Sequence, residues 1–296
     1  MKKAILITGS TGFIGRNLKE QLSSKYKVFA PSSKDLDLLD ESKVRNYLKK
    51  YNFQTILHCA THNATKVSNE DLSLVFKNNL RMFFNLARCN NLYKRMFYFG
   101  SGAEYDMEHY KPKMKEEYFD THVPIDDYGF SKYIMAKYIK KIRNIYDLRL
   151  FGCFGKYEDW KIRFISNALC RVIYNLDITM HKNVFFDYLY IHDLSKILTF
   201  FIEAKKLKYQ YYNVCTGTTI DLLSIAKKVL KITGKENKII ITYKGLKNEY
   251  SGDNNRLLKE FKNIKFTPID TAIKELYKYY KSHKSTIDPK LLLIDK

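Results

Sequence analysis

Ala4-Ile5-Leu6-Ile7-Thr8-Gly9-Ser10-Thr11-Gly12-Phe13-Ile14-Gly15 is an apolar run broken by three glycines at GxxGxxG spacing. The apolar part is bounded by Lys2-Lys3 and by Thr8-Gly9-Ser10. It is too short for a secretory signal and reads as a buried first strand. Ile14–Leu22 behind it has the apolar spacing of an amphipathic helix. Glycine between a strand and a helix lets the backbone turn sharply and approach a pyrophosphate, which then sits on the unpaired amides of the helix N-terminus. Gly9, Thr11, Gly12, Phe13, Ile14, Gly15 and Arg16 are therefore the first candidate binding residues.

Outward from this turn, strand-like runs at Lys27–Ala30, Thr55–Ala60, Met96–Ser101 and Asp147–Phe151 alternate with helix-like stretches near Glu41–Lys50, Leu74–Asn90 and Ser131–Ile145. That is the βαβ rhythm of a parallel sheet. Beyond about Phe154 the rhythm loosens: a helix over Ile162–Tyr174, then short strands around Asp187–Ile191, Tyr211–Val214 and Ile239–Tyr243. The expected fold class is α/β, a Rossmann-type doubly wound parallel sheet with a smaller C-terminal α/β substrate-binding lobe. Residues 1–155 would bind the dinucleotide, with some later segments returning to that domain, and 156–296 would form mainly the lobe. The tail ends in Leu291-Leu292-Leu293-Ile294, a short helix or a frayed end.

The chain has 296 residues, 45% hydrophobic and 28% charged. Its apolar runs stay below the ~18 residues that cross a membrane. Cys59, Cys89, Cys153, Cys170 and Cys215 are scattered, which fits a reducing cytoplasm, the expected location. The formal charge of +21 attracts polyanions in general. The lysines spread along the whole chain and no nucleic-acid reader motif accompanies them, so neither a nucleic acid nor a membrane is expected as partner. His58, His62, His109, His122, His181 and His192 show no metal-ligand spacing; they are expected to be structural or exposed, with no metal.

Tyr128-Gly129-Phe130-Ser131-Lys132 places a phenol and an ammonium four residues apart, on one face if the segment is helical. A nearby cation favours the phenolate, and such a pair can give and take a proton. Ser101 closes the fourth strand candidate, so its hydroxyl would emerge at the C-terminal edge of the sheet, where ligands bind. The order and approximate spacing of Ser101, Tyr128 and Lys132, with the GxxGxxG turn, resemble the catalytic trio of the extended short-chain dehydrogenase/reductase superfamily, the epimerases, dehydratases and reductases of nucleotide sugars. The resemblance extends through Arg149-Leu150-Phe151-Gly152-Cys153-Phe154-Gly155, Asp187–Asp193 and Tyr212-Asn213-Val214. Many relatives have asparagine at Gly152, a position where this chain departs from their pattern.

The resemblance implies a nicotinamide cofactor. Asp37 and Leu38 fall where the family contacts the adenine, and Ala60 and Asn79 beside the cofactor riboses and central sheet. No acid closes the second strand, where one would hold the ribose 2′-hydroxyl of NAD. Ser32, Ser33, Lys34 and Arg16 could receive the extra phosphate, so NADP (NADPH) is favoured and NAD remains possible. Similar 4,6-dehydratases carry an Asp-Glu pair after the serine; here Gly102 and Ala103 stand there. The fucose synthases add an epimerising cysteine and histidine, represented here by Ala103 and Arg163. The reading is a ketoreductase of a 4-keto (6-deoxy) nucleotide-diphosphate sugar in cell-surface polysaccharide precursor synthesis. Its alternatives are a nucleotide-sugar 4-epimerase with bound NAD and a non-catalytic nicotinamide-binding regulator. Ser101, Gly102, Ala103, Arg163, Asn167, Arg171 and Arg256 are the candidate substrate contacts, the arginines because guanidinium forks suit phosphate oxygens. By the same resemblance the chain would be a homodimer joined through the helices at Leu74–Asn90 and Ser131–Ile145. Their apolar positions Phe76, Leu80, Phe83, Phe84, Ile134 and Tyr138 exceed what one core-facing stripe needs.

Overall fold

The computed structural model describes residues 2–62 and 71–293; Ile294 of the apolar tail lies outside them. In chain order the first half contains β1 (Ala4–Thr8), α1 (Phe13–Leu22), β2 (Lys27–Phe29), α2 (Glu41–Lys50), β3 (Phe53–His58), α3 (Val75–Ala87), β4 (Tyr93–Ser101), α4 (Asp127–Ile139) and β5 (Ile145–Leu150). There follow β6 (Gly152–Phe154), α5 (Phe164–Ile173), β7 (Ile178–Met180), β8 (Phe185–Phe186), β9 (Tyr188–Tyr190) and α6 (Ile191–Glu203). The chain continues through β10 (Tyr211–Val214), β11 (Ile220–Asp221), α7 (Leu222–Thr233), β12 (Ile239–Ile241), α8 (Asn255–Glu260) and α9 (Ile269–Ser282).

Six strands form one parallel sheet in the order β10-β5-β4-β3-β1-β2, the expected Rossmann-type arrangement. Side chains alternate across it as the strand period requires. Ile5, Ile7, Phe97 and Leu148 face Leu18 of α1 and Leu194, Leu198 and Phe201 of α6. Leu6, Ile56, Met96 and Tyr98 face Phe83 and Leu86 of α3 and Met135 and Ile139 of α4. Burying each such aliphatic side chain contributes about 1.5–3 kcal/mol. Because β1 has β2 on one side and β3 on the other, the chain leaves its C-terminal end in opposite directions, and that divergence opens the ligand crevice of such sheets.

Two boundaries differ from the sequence pattern. The helix expected over Ser131–Ile145 starts earlier, because the Asp126 carboxylate caps it by accepting the Gly129 amide at 2.8 Å. It also stops earlier, at Ile139, and Ile145 already belongs to β5. Tyr211–Val214 adds to the edge of the main sheet beside β5, with Tyr211 opposite Asp147. Of the other short strands, β6 pairs with β9, β8 with β11 and β7 with β12, while α5 packs on α7 and α9. Two buried carboxylates fasten this region. Asp187 accepts from the Thr216 and Gly217 amides at 2.8 and 2.7 Å, and Asp193 accepts from the Thr267 amide at 2.7 Å.

Beneath the C-terminal edge of the sheet lies a fully buried ionic cluster. Arg149 Nε donates to Glu104 at 2.7 Å and to Asp147 at 2.9 Å, and its Nη1 donates to the Tyr105 hydroxyl at 2.9 Å. Tyr105 in turn donates to Asn213 of β10 at 2.6 Å. Burial, and then the neighbouring Asp147 carboxylate, push Glu104 well above the ordinary carboxylate range. A Glu104 kept neutral lowers the net charge of the cluster, which eases its removal from water. Arg149→Met is expected to cost about 3–5 kcal/mol, the usual penalty for a buried carboxylate that loses its partner; urea denaturation of the purified variant measures it.

Candidate active site

The glycine turn lies across the divergence point. Gly9 has φ +64°, which favours glycine, and a Cβ there would stand 2.7 Å from the Ala60 Cα. A Cβ on Gly15 would stand 2.2 Å from the Gly9 carbonyl oxygen, so α1 can approach the strand only without a side chain there. Helix α1 begins behind Gly12 with no side chain capping it. Its first amides are therefore available to an anion. Thr11 and Gly12 are exposed, and Phe13 and Ile14 half-buried, at this opening.

Asn79 of α3 is buried and holds the segment after β3: its Oδ1 accepts the His62 amide at 2.7 Å and the Thr61 hydroxyl at 3.1 Å. At the end of β2, Ser10 ties the turn to the Ala30 and Pro31 carbonyls at 3.0 Å each. The set expected to receive a 2′-phosphate is only partly free. Ser32 gives its hydroxyl and its amide to Asp35 at 2.7 and 3.0 Å, bonds that hold the Asp35 carboxyl below its ordinary range. Ser33 and Lys34 are exposed. Arg16 stacks 3.7 Å over the Tyr157 ring. Asp37 accepts the Leu39 amide at 2.9 Å. Leu38, expected beside the adenine, turns inward and packs with Leu36 and Val44 of the core.

Ser101 stands where β4 ends. Its amide donates to Glu104 Oε1 at 3.0 Å and its Oγ accepts the Ala103 amide at 3.1 Å, so the buried cluster fixes the serine backbone. The Asp126 cap places Tyr128 in the first turn of α4, half-buried. Lys132, one turn on, is buried. Its Nζ donates to the Phe99 carbonyl at 2.8 Å and lies 4.6 Å from the Tyr98 ring centre and 5.6 Å from that of Tyr128.

Ser101 and Tyr128 line one cavity of about 880 Å³, together with Ala103, Gly152, Cys153, Glu158, Arg163, Arg171 and Tyr250. Gly102 adjoins it, and a Cβ there would meet the Tyr110 hydroxyl at 2.3 Å. Gly152 is equally constrained, because a Cβ would stand 2.6 Å from the Asp187 carbonyl oxygen. A side chain such as asparagine does not fit over this backbone.

The other proposed substrate contacts divide. Arg163 is exposed on the cavity wall. Arg171 reaches the wall, but its guanidinium is bonded to the Asp177 and Leu292 carbonyls. Asn167 is buried and donates to the Trp160 and Lys161 carbonyls, so it shapes the loop. Arg256 is not among the residues of this cavity. It lines a separate hollow and pairs with Glu117 at 2.6 Å and Glu116 at 3.7 Å. Two nearby acids thus face its charge in that hollow.

Two cavity residues were not singled out from the sequence. Tyr250 comes from a distant loop, with its hydroxyl bonded to Ser101 and burial pushing its phenol up to about 12. Glu158 is buried and bonded to Ser166; burial pushes its carboxyl up to about 7. No spacing in the chain links either to the trio. His109 and His122 are exposed, as expected, and with the buried Asp106 bring their ligand atoms within 4.8 Å of one another, with the two rings stacked at 3.8 Å.

Among known proteins the chain is similar to GDP-6-deoxy-D-talose 4-dehydrogenase of Aggregatibacter actinomycetemcomitans, 25% identical and covering 93% of this chain and 97% of the relative. It is 22% identical to GDP-L-colitose synthase of Yersinia pseudotuberculosis, over 95% and 99% of the two chains. Its fold matches the NADP-bound GDP-L-fucose synthetase of Naegleria fowleri with a TM-score of 0.81 at 18% identity, covering 96% of this chain and 94% of that one. The match to UDP-glucose 4-epimerase of Thermotoga maritima has the same TM-score and identity, over 95% and 99%. Residues 5–215, from the first strand past the end of β10, match a single family description, and the chain belongs to the NAD dependent epimerase/dehydratase family.

Proposed function

We propose that this protein reduces a ketone, at C4 of a 6-deoxy sugar or a related position, on a sugar activated by a nucleoside diphosphate, with a nicotinamide cofactor on the glycine turn. The observation that carries this reading is the placing of Ser101 and Tyr128 on one cavity wall, with the Lys132 ammonium buried behind Tyr128. The names of the curated relatives point to GDP sugars as the first substrates to test.

The turn fits the cofactor: a close backbone approach at Gly9, and uncapped amides at the start of α1 for the pyrophosphate. The bound nicotinamide supplies the hydride. Ser101 holds the ketone oxygen by its hydroxyl, and Tyr128 gives that oxygen its proton. Lys132 lowers the cost of the phenolate left behind. Arg163, exposed in the same cavity, suits the diphosphate. Gly102 and Ala103 offer no acid or base beside the serine, which supports reduction without dehydration.

Tyr128→Phe keeps the ring and removes the acidic hydroxyl. Turnover of a GDP-4-keto-6-deoxyhexose with NADPH is expected to fall by at least about a hundredfold, with NADPH affinity within a few-fold of wild type. Nicotinamide absorbance and a fluorescence titration read the two quantities, and near-wild-type turnover sinks the assignment.

The cofactor reading favours NADPH, through Ser33, Lys34 and Arg16, against the opposing Asp35 carboxylate beside Ser32. A 2′-phosphate and a carboxylate repel each other. Asp35→Asn is expected to raise the NADPH-over-NADH preference several-fold and Lys34→Ala to lower it. The ratio of the two Kd values in each variant is the measurement.

The homodimer reading rests on α3 and α4, where Phe76 stacks on Phe130 at 5.3 Å. Phe83 is in the monomer core and Leu80, Phe84 and Tyr138 partly join it, which leaves a smaller apolar face than the sequence suggests. Light scattering at micromolar concentration is expected to give twice the 35.1 kDa chain mass; a monomer removes the dimer.

A further inference from the structure

We infer that Glu158 reads a ring hydroxyl of a neutral sugar in the active-site cavity and so excludes sugars that carry a carboxylate. The inference deepens the proposed function and rests on that reading of the cavity.

Glu158 follows β6 in the segment Gly155–Asp159, where its amide donates to the Gly155 carbonyl at 3.3 Å. Only 6% of it is exposed, and it belongs to the wall that also contains Ser101, Tyr128 and Arg163. Ser166 Oγ of α5 donates to Glu158 Oε2 at 2.6 Å and so fixes the carboxyl group. The Ser166 hydroxyl and a backbone hydrogen bond at Gly155 leave further acceptor sites open on the two carboxyl oxygens. A sugar supplies what this side chain lacks, hydroxyl donors at short range, and a bond to an ionised acceptor is about twice as strong as a neutral one. A diphosphate or a uronate carboxylate brings only further acceptors and negative charge.

The surrounding groups agree. Glu158 is faced by the Ser166 hydroxyl, Arg163 and Asp159, and by Cys153, Tyr188 and Tyr280 from the packed elements. Burial raises Cys153 and the two tyrosines, so they stay neutral. Burial raises the Glu158 carboxyl, and the Ser166 hydroxyl and then Arg163, the cation of this group, act against that shift and favour the ionised form that accepts hydroxyl hydrogens. Arg163 and Glu158 together divide the cavity wall between an anionic and a neutral part of one ligand.

Calorimetry of the full-length protein saturated with NADP tests this with GDP-mannose, GDP-mannuronate and GDP, and in parallel with UDP-glucose, UDP-glucuronate and UDP. Wild type is expected to bind the neutral sugar nucleotide of one set at least about tenfold more tightly than its uronate. Glu158→Ala is expected to lose about tenfold for the neutral sugar nucleotide and less than twofold for the free diphosphate. Glu158→Gln, which keeps the shape and the Ser166 bond, is expected to lose less and to narrow the discrimination against the uronate. Thermal melting and NADP affinity within error of wild type confirm that the variants are folded. Equal losses for sugar nucleotide and diphosphate, unchanged affinities in both variants, or wild-type sugar nucleotides that bind no better than the diphosphates overturn the inference. Failure of the keto-sugar assay with this binding pattern intact overturns the reductase reading alone.

Discussion

The fully buried guanidinium of Arg149 joins more of this structure than any other side chain described. One end of the cluster is Glu104, which receives the Ser101 amide. Another is Asp147, opposite Tyr211 in the edge pairing, and a third runs through Tyr105 to Asn213. Asn213 continues it, donating to the Met114 and Asp253 carbonyls while its amide goes to Glu116. Strand β4, strand β5, strand β10 and two surface loops are thus held about a single charge. Such a cluster contributes little net stability when complete and is costly when broken. Its effect is to permit only one arrangement of the elements that end at the cavity.

Positioning and chemistry are separated in this design. Ser101 is fixed through its amide and through the Ala103 amide, and its hydroxyl meets that of Tyr250 at the cavity wall. Tyr128 is fixed by a helix cap two residues before it, and Lys132 by a strand carbonyl. None of these bonds uses the phenol of Tyr128. Rigid support of a group whose reactive atom stays unengaged is what pre-organisation requires. The Gly152 backbone follows the same logic: the Asp187 carbonyl takes the space of a side chain, so this part of the wall is built from backbone.

Much of the framework is legible in the sequence because it rests on local periodicity. The strands flanking the glycine turn are apolar runs, and the helices between them repeat at the helical period, so the parallel sheet follows. Ser101, Tyr128 and Lys132 are legible because each sits at an element end or on one helical face. Tyr250 and Glu158 are not, because the loops that bring them to the cavity are placed by long-range pairings: the Tyr250 amide on the Phe185 carbonyl, and Ser166 on Glu158. The place of Asp35 is hidden for a different reason. The residue lies beyond the stretch 29–34 at the end of the strand and folds back three residues to bond Ser32. The ion pairs of Arg256 with Glu116 and Glu117 are equally illegible, because they join segments at least 139 residues apart.

The late return of Tyr211–Val214 to the sheet has a consequence for how the chain is made. A ribosome releases β5 well before the strand that covers its outer side, and in the interval β5 is an open edge. Unpaired edges are templates for pairing with other chains, and large domains are most prone to aggregate from such part-folded states. The open edge carries Asp147 and Arg149, and charge on an edge discourages foreign partners. When Asn213 arrives it accepts the Tyr105 hydroxyl and the same charges are sealed from water. The cluster thus acts twice in the life of the molecule, first as a guard on an unfinished sheet and then as its fastening.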